Sequence, residues 1–210
     1  IPAMEITTYY GHANAWGLSK WVDFRCRTGG DVGESVADAR AQGAIVSINH
    51  PYSDCPWTFD MVEGIEAIEV WQGLWNRGNL QAVAWWDELL AAGRRVTGVG
   101  GSDRHEPANY DPLFPHQVGT PATRIQADEL STSAILAGIL KGEVTIAETP
   151  EGPWLEIRVL RDDGSFARMG ESMAPASDES IEVECRVSGV GEDTLELVTD
   201  GRVVARHELE

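Results

Sequence analysis

Ala44-Ile45-Val46-Ser47-Ile48-Asn49-His50-Pro51 is a five-residue apolar run that stops on an amide, an imidazole and a proline. So short an unbroken apolar run reads as a strand buried on both faces, as in a parallel sheet flanked by helices. Ile65 to Trp71 (IEAIEVW) is a second such run. Arg95-Val96-Thr97-Gly98-Val99, closed by Gly100-Gly101, is a third. Around and between these lie helical patterns. Asp31 to Gln42 has apolar residues at helical spacing and Gly43 as its stop; Leu80 to Ala92 is a stronger helix ended by Gly93. Ser131 to Lys141 begins on an N-cap serine and meets Gly142 just past its end. Strand and helix alternate, which implies an α/β architecture over residues 1–150.

The pattern changes at Thr149-Pro150-Glu151-Gly152-Pro153, where two prolines and a glycine break the chain. Beyond it Trp154 to Leu160, Ser180 to Val187 and Thr194 to Val204 alternate in polarity. Asp162-Asp163-Gly164 and Asp200-Gly201 are hairpin-turn signals. Residues 151–210 are therefore expected to form a small antiparallel β module beside the α/β part.

Composition bounds the function. The chain has 210 residues, 42% of them hydrophobic, long enough to bury roughly 70% of its unfolded surface. Lys+Arg total 16 against Asp+Glu 34, a formal net charge of -18, so phosphate backbones and anionic membrane surfaces are disfavoured as partners and a bound cation is favoured. No apolar run approaches the ~18 residues that cross a bilayer, so a soluble protein is expected, with cytoplasm or periplasm left open. Cys26, Cys55 and Cys185 are odd in number and widely spaced, which supports neither a thiolate zinc site nor a disulfide framework.

Chemistry-bearing residues gather where strands end, the place where α/β folds bind ligands. Glu5 lies in the extended start Met4-Glu5-Ile6-Thr7, and His12 follows in Gly11-His12-Ala13-Asn14. His50 ends one strand and Glu69 lies in the next. Asp103 and His105 close another, in Gly101-Ser102-Asp103-Arg104-His105. Histidine and carboxylate are the usual ligands for zinc, manganese or iron at hydrolytic sites. Each piece alone has a plainer reading. Asp103 caps a turn, Asn49-His50-Pro51 is a turn, Gly11 to Asn14 is a loop, and Glu5 is solvated. His116 and His207 lack a strand-end context and read as structural or exposed. Together the pieces are more specific than any one of them.

In this order, Glu5 to Asn14 (an E-x-T-x-x-x-GH-x-N segment), Asn49-His50-Pro51, Glu69-Val70-Trp71 and Gly101-Ser102-Asp103-Arg104-His105 resemble the PHP (polymerase and histidinol phosphatase) superfamily of metal-dependent hydrolases. The branch they look most like is the carbaryl-hydrolase-like one (CehA/McbA type). The resemblance covers residues 1–150. It implies the C-terminal part of a distorted (βα)7 barrel followed by the small antiparallel β module, with two or three divalent metals in the barrel mouth, zinc first, manganese or iron as alternatives. It implies Glu5 as a bridging carboxylate, His12 and His50 on a second metal, Asp103 on the first and His105 at a remaining site. Asn14 is the alternative to His12, although an amide oxygen is a poor zinc donor. Glu69 is placed near the site rather than on a metal.

The family's opening H-x-H motif and the next Asp and His ligands precede the bridging glutamate and cannot be placed here. Another chain or segment is expected to supply those strands, so that these residues alone form an incomplete site. With the site complete, a hydroxide held between the metals attacks phosphorus or a carbonyl carbon of a small ester, carbamate or phosphoester. Glu5 and Asp103 are then the catalytic carboxylates, and Asp103 accepts a proton. Arg104 balances substrate charge, or lies on the surface. Tyr52, Trp71 and Trp75 form an apolar wall, or simply pack. The competing expectation is a noncatalytic interaction module with a degenerate site.

Overall fold

The computed structural model describes residues 1–105, 117–174 and 180–209; His116 lies outside the described residues. Its centre is a five-stranded sheet in the order β1-β2-β3-β4-β5. The strands are β1 (Ala3–Thr8), β2 (Gly11–Trp16), β3 (Ile45–Asn49), β4 (Ile65–Gln72) and β5 (Thr97–Gly101). The run from Ile45 to Asn49 is its middle strand. All five residues of β3 are buried, with Val46, Ser47 and Ile48 wholly so. That is why the run reads apolar without alternation.

Helix α1 (Gly29–Ala41) and helix α2 (Arg77–Ala91) belong to this part. Both start earlier than the apolar spacing predicts, because polar caps set their ends. Thr28 and Asp31 form a reciprocal capping box on α1, and Asn76 Oδ1 accepts from Gly78 and Asn79 on α2. Val32, Val36 and Ala39 of α1 bury against Ile6, Ala13, Val46, Ile48 and Ile68, with Val83 and Trp86 of α2 packed on the same cluster. The opposite sheet face, through Ile45, Ala67 and Val99, meets Leu136 and Ile139 of α3 (Thr132–Lys141). The short hairpin β6 (Ala122–Ile125) and β7 (Val144–Ala147) flanks α3.

This architecture corrects the expectation of a (βα)7 barrel. Strands take 38% and helices 20%, with three helices among the described residues and no closed barrel, so the chain is β-rich and its sheets are mixed. Three physical reasons account for it. The segment Gly11 to Asn14, expected as a loop, is strand: β1 and β2 form an antiparallel hairpin from Thr8↔Gly11 onward, and β2 pairs antiparallel with β3. Only β3-β4-β5 is parallel. The crossover from β3 to β4 carries no helix; instead Trp57, Phe59, Met61 and Val62 of that connection bury on the helix-side core. Finally α3 occupies the sheet face that a closed barrel keeps as its interior. Its Gly138 runs so close to β6 that an added Cβ would meet Ile125 Cγ2 at 2.5 Å.

Beyond residue 150, β8 (Trp154–Arg161), β9 (Phe166–Arg168) and β10 (Ile181–Ser188) make an antiparallel sheet in the order β10-β8-β9. The last expected stretch is two strands, β11 (Asp193–Thr199) and β12 (Arg202–Leu209), folded back on one another at Asp200-Gly201. Asp200 and Gly201 both have positive φ, 48° and 69°, the requirement of a tight two-residue hairpin turn.

Ile48 has no exposed surface and touches the helix-side core. Ile48→Ala is expected to lower the unfolding free energy by about 2–5 kcal/mol, read as a lower urea midpoint at unchanged slope.

Candidate metal centre

Strand register brings the first pair of side chains together. Thr7 lies opposite His12, and His12 opposite Asn49, so Glu5, His12 and Asn49 share one sheet face across β1, β2 and β3. Glu5 Oε1 lies 3.2 Å from His12 Nδ1 and accepts from Asn49 Nδ2 at 3.3 Å. His50 follows the last residue of β3 with φ 29°, a conformation that an L side chain adopts at a cost of order 1–3 kcal/mol. The turn returns two contacts. Ser53 N donates to the His50 carbonyl at 3.1 Å, and Ser53 Oγ lies 2.8 Å from His50 Nδ1. The His50 ring stands edge-on to that of His12, centroids 5.0 Å apart. One ligand atom from each of Glu5, His12 and His50 lies within 4.8 Å of the others.

Asp103 joins from the end of β5. It too has positive φ, 49°, and its Oδ2 lies 3.9 Å from His50 Nε2. Gln72, the last residue of β4, donates from Nε2 to Asp103 Oδ2 at 2.8 Å and so fixes the carboxylate beside His50. The Gln72 backbone is itself pinned by Asn79, which is buried at the start of α2 and whose Oδ1 accepts from the Gln72 backbone N–H at 2.9 Å. His105 is not drawn in: its side chain is 82% exposed and its Nδ1 faces the Asp103 carbonyl at 3.0 Å.

Beneath the pair lies a buried carboxyl. Glu69 Oε2 accepts from the His50 backbone N–H at 2.7 Å, and Gly101 leaves room for Oε1, which an added Cβ would meet at 2.7 Å. Burial raises the Glu69 pKa to about 8, against the lowering effect of the His50 N–H, with the charges of Asp103 and Glu5 adding to the rise. Burial also holds His50 below the ordinary histidine range, the charge of Asp103 opposing it in part. His50 is thus a neutral imidazole near pH 7, the form that donates a lone pair to a cation.

Two imidazoles and one carboxylate, with a second carboxylate beside them, make a mixed nitrogen and oxygen donor set that suits zinc, manganese or iron. Asn14 lies opposite Glu5 but lines a neighbouring cavity of about 260 Å³ with Ser47, Asn49 and Glu69. Of the expected aromatic wall, Tyr52 lines a small cavity with His50, Glu69 and Gln72, its ring set edge-on to Trp85. Trp71 and Trp75 instead stack edge-to-face on each other at 4.9 Å and do not line it. Arg104 is half-buried, and His207 is exposed on β12. Ser53 and Gln72 carry only a weak signal in the sequence. The available signals were Ser53 three residues after His50 across a proline turn, and Gln72 at the same end of its strand as His50.

No protein-family model matches this chain, and a search of curated proteins gives no match either. No helix among the described residues is long and apolar enough to cross a membrane.

Glu69 supplies a pH test on the chelated protein. Unfolded, its carboxyl ionises near pH 4.5; folded, it keeps its proton to about pH 8. The folded chain therefore binds more protons across that window, and stability falls as pH rises through it. Glu69→Gln keeps an acceptor for the His50 N–H and is expected to flatten that fall, a difference on the order of a few kcal/mol between pH 5 and pH 9 in denaturant titrations.

Proposed function

We propose that Glu5, His12 and His50, with Asp103 beside them, hold a divalent cation and that this centre hydrolyses a small phosphoester, carbamate or carboxyl ester. The observation that carries the reading is the convergence of three ligand atoms, from β1, β2 and the end of β3, within 4.8 Å. The order of the motifs, which resembles the PHP hydrolases, supports it independently of sheet closure. Zinc is the first choice for this donor set, with manganese and iron next. A cation held there would supply Lewis acidity, lowering the pKa of a bound water to about 7 and offsetting charge developing on the substrate.

The chain's own groups divide the remaining tasks. Glu5 is oriented by Asn49 and carries the negative charge that a cation needs nearby. His50 offers Nε2, because Ser53 engages Nδ1 and holds the ring plane. Asp103, held by Gln72, is the group placed to take a proton from a nucleophile beside His50. Glu69 keeps its proton on a buried oxygen up to about pH 8 and so adds no third carboxylate charge to the cluster at neutral pH.

Two measurements test this reading. Zinc or manganese titrated into chelator-stripped protein is expected to bind saturably, with His50→Ala weaker by about 100-fold and Ser53→Ala by about 10–100-fold at unchanged melting temperature. Turnover of p-nitrophenyl phosphate or a naphthyl carbamate is expected only with metal present, and Asp103→Asn is expected to reduce kcat by about 100-fold or more. Absence of saturable binding sinks the metal centre. Tight metal binding without turnover of either substrate class leaves a noncatalytic binding module.

A further inference from the structure

Away from the histidine cluster, the chain concentrates positive charge in one place. A groove of about 550 Å³ runs between the β6–β7 hairpin and the β10-β8-β9 sheet, lined by Arg124, Arg158, Arg168 and Arg186 together with Glu143, Glu156 and Glu184. Four arginines against three glutamates leave a local excess of positive charge, in a chain whose formal net charge is -18 with only 16 basic residues.

The strand register sets Arg186 opposite Glu156 and Arg158 opposite Glu184, and leaves one like-charge contact. Arg158 of β8 lies directly opposite Arg168 of β9, a like-charge cross-strand pair. Both guanidiniums approach the ring of Phe166, at 6.0 Å and 5.3 Å from its centroid. Glu184, opposite Arg158 on the other side, is shared: it pairs with Arg158, and its Oε1 accepts from Arg186 at 3.1 Å. Glu143 is engaged by Lys141 at 3.8 Å. Across the groove, Arg124 stacks over the Trp154 ring at 4.8 Å. Among the described residues, neither Arg124 nor Arg168 forms an ion pair. Each instead has its guanidinium carbon over an aromatic ring, a contact that limits the rotamer freedom still to be lost on binding.

We propose that this groove binds a small molecule through an oxyanion group, phosphoryl or carboxylate, gripped by Arg124 and Arg168 with Arg158 and Arg186 braced by Glu184. Arginine forks match such oxygens in pairs, and an anion between Arg158 and Arg168 removes their mutual repulsion. The proposal is independent of the metal centre, since no residue is shared between the two.

The test is isothermal titration of the full chain, stripped with chelator so that no metal contributes, with inorganic pyrophosphate in one arm and citrate in the other. Saturable binding of one equivalent in either arm is expected, persisting at about 0.15 M salt, and the responding arm identifies the oxyanion. Arg124→Gln with Arg168→Gln is expected to weaken it at least ~10-fold with an unchanged melting temperature, and His50→Ala to leave it within about 2-fold. No saturable heat in either arm, equal affinity in the double variant, or dependence on His50 would each overturn the assignment.

Discussion

Strand β3 lies in the middle of the sheet with both neighbours hydrogen-bonded and both faces covered. A strand in that position cannot slip, because a one-residue shift would turn Val46 and Ile48 out of one core and place Ser47 in it. The fixed register determines where the strand stops, and it stops at Asn49 with His50 next. Asn49 and His50 are then delivered to a point set by packing around Ile48, while Glu5 and His12 reach it through the pairing His12↔Asn49 and Thr7↔His12. The histidine cluster is in this sense a consequence of hydrophobic register: polar groups from three strands meet because apolar groups from the same strands do.

Strain and desolvation collect at the same end of the sheet. His50 and Asp103 both take positive φ without being glycine, and Glu69 is a carboxyl buried under them. Such features oppose folding and persist only where the surroundings over-determine them. Here the surroundings are specific: Ser53 closes the His50 turn, Gln72 and Asn79 hold the Asp103 side, and the His50 N–H donates to the Glu69 carboxyl. His50, Asp103 and Glu69 are each held by a second polar group, an arrangement costly to maintain for packing alone, where an apolar side chain would serve.

The elements most easily read from the sequence are those governed by local physics. Runs such as Ile45 to Ile48 and Ile65 to Trp71 announce strands, and Ser131 and Gly142 bound α3 where capping chemistry puts them. What escaped was non-local. Nothing between Gly11 and Asn14 says that the segment pairs with β1 and β3 at once, and the apolar Trp57 to Val62 stretch does not announce that it replaces a crossover helix. Nor does the periodicity of α3 say which sheet face it covers; it covers the face carrying Ile45, Ala67 and Val99, with Gly138 close against Ile125. At the candidate site, Glu5, His12, His50 and Asp103 were legible as residue types, but Glu5 lies within β1 and His12 at the start of β2. Their supports were not legible, because Ser53, Gln72 and Asn79 act through side-chain geometry that only the folded turns create. His105 is the converse case: its spacing two residues from Asp103 suits a ligand, yet in an exposed loop that spacing turns its ring to the backbone carbonyl of Asp103.

The charge distribution gives the two polar regions opposite characters. In the histidine cluster the acids outnumber the cations, and neutral His50 cannot compensate them, so the local field favours a small cation. On the β10-β8-β9 sheet, Arg158 and Arg168 oppose each other across the ladder, with Glu184 facing Arg158 on its other side. Both regions lie in one strongly acidic chain, whose general field repels anions at long range. Within about a Debye length, however, the nearest fixed charges dominate that field. An oxyanion approaching the arginine groove therefore meets a barrier at a distance and attraction on contact. That combination slows encounter and raises the share of binding carried by short-range, geometrically matched hydrogen bonds rather than by nonspecific charge.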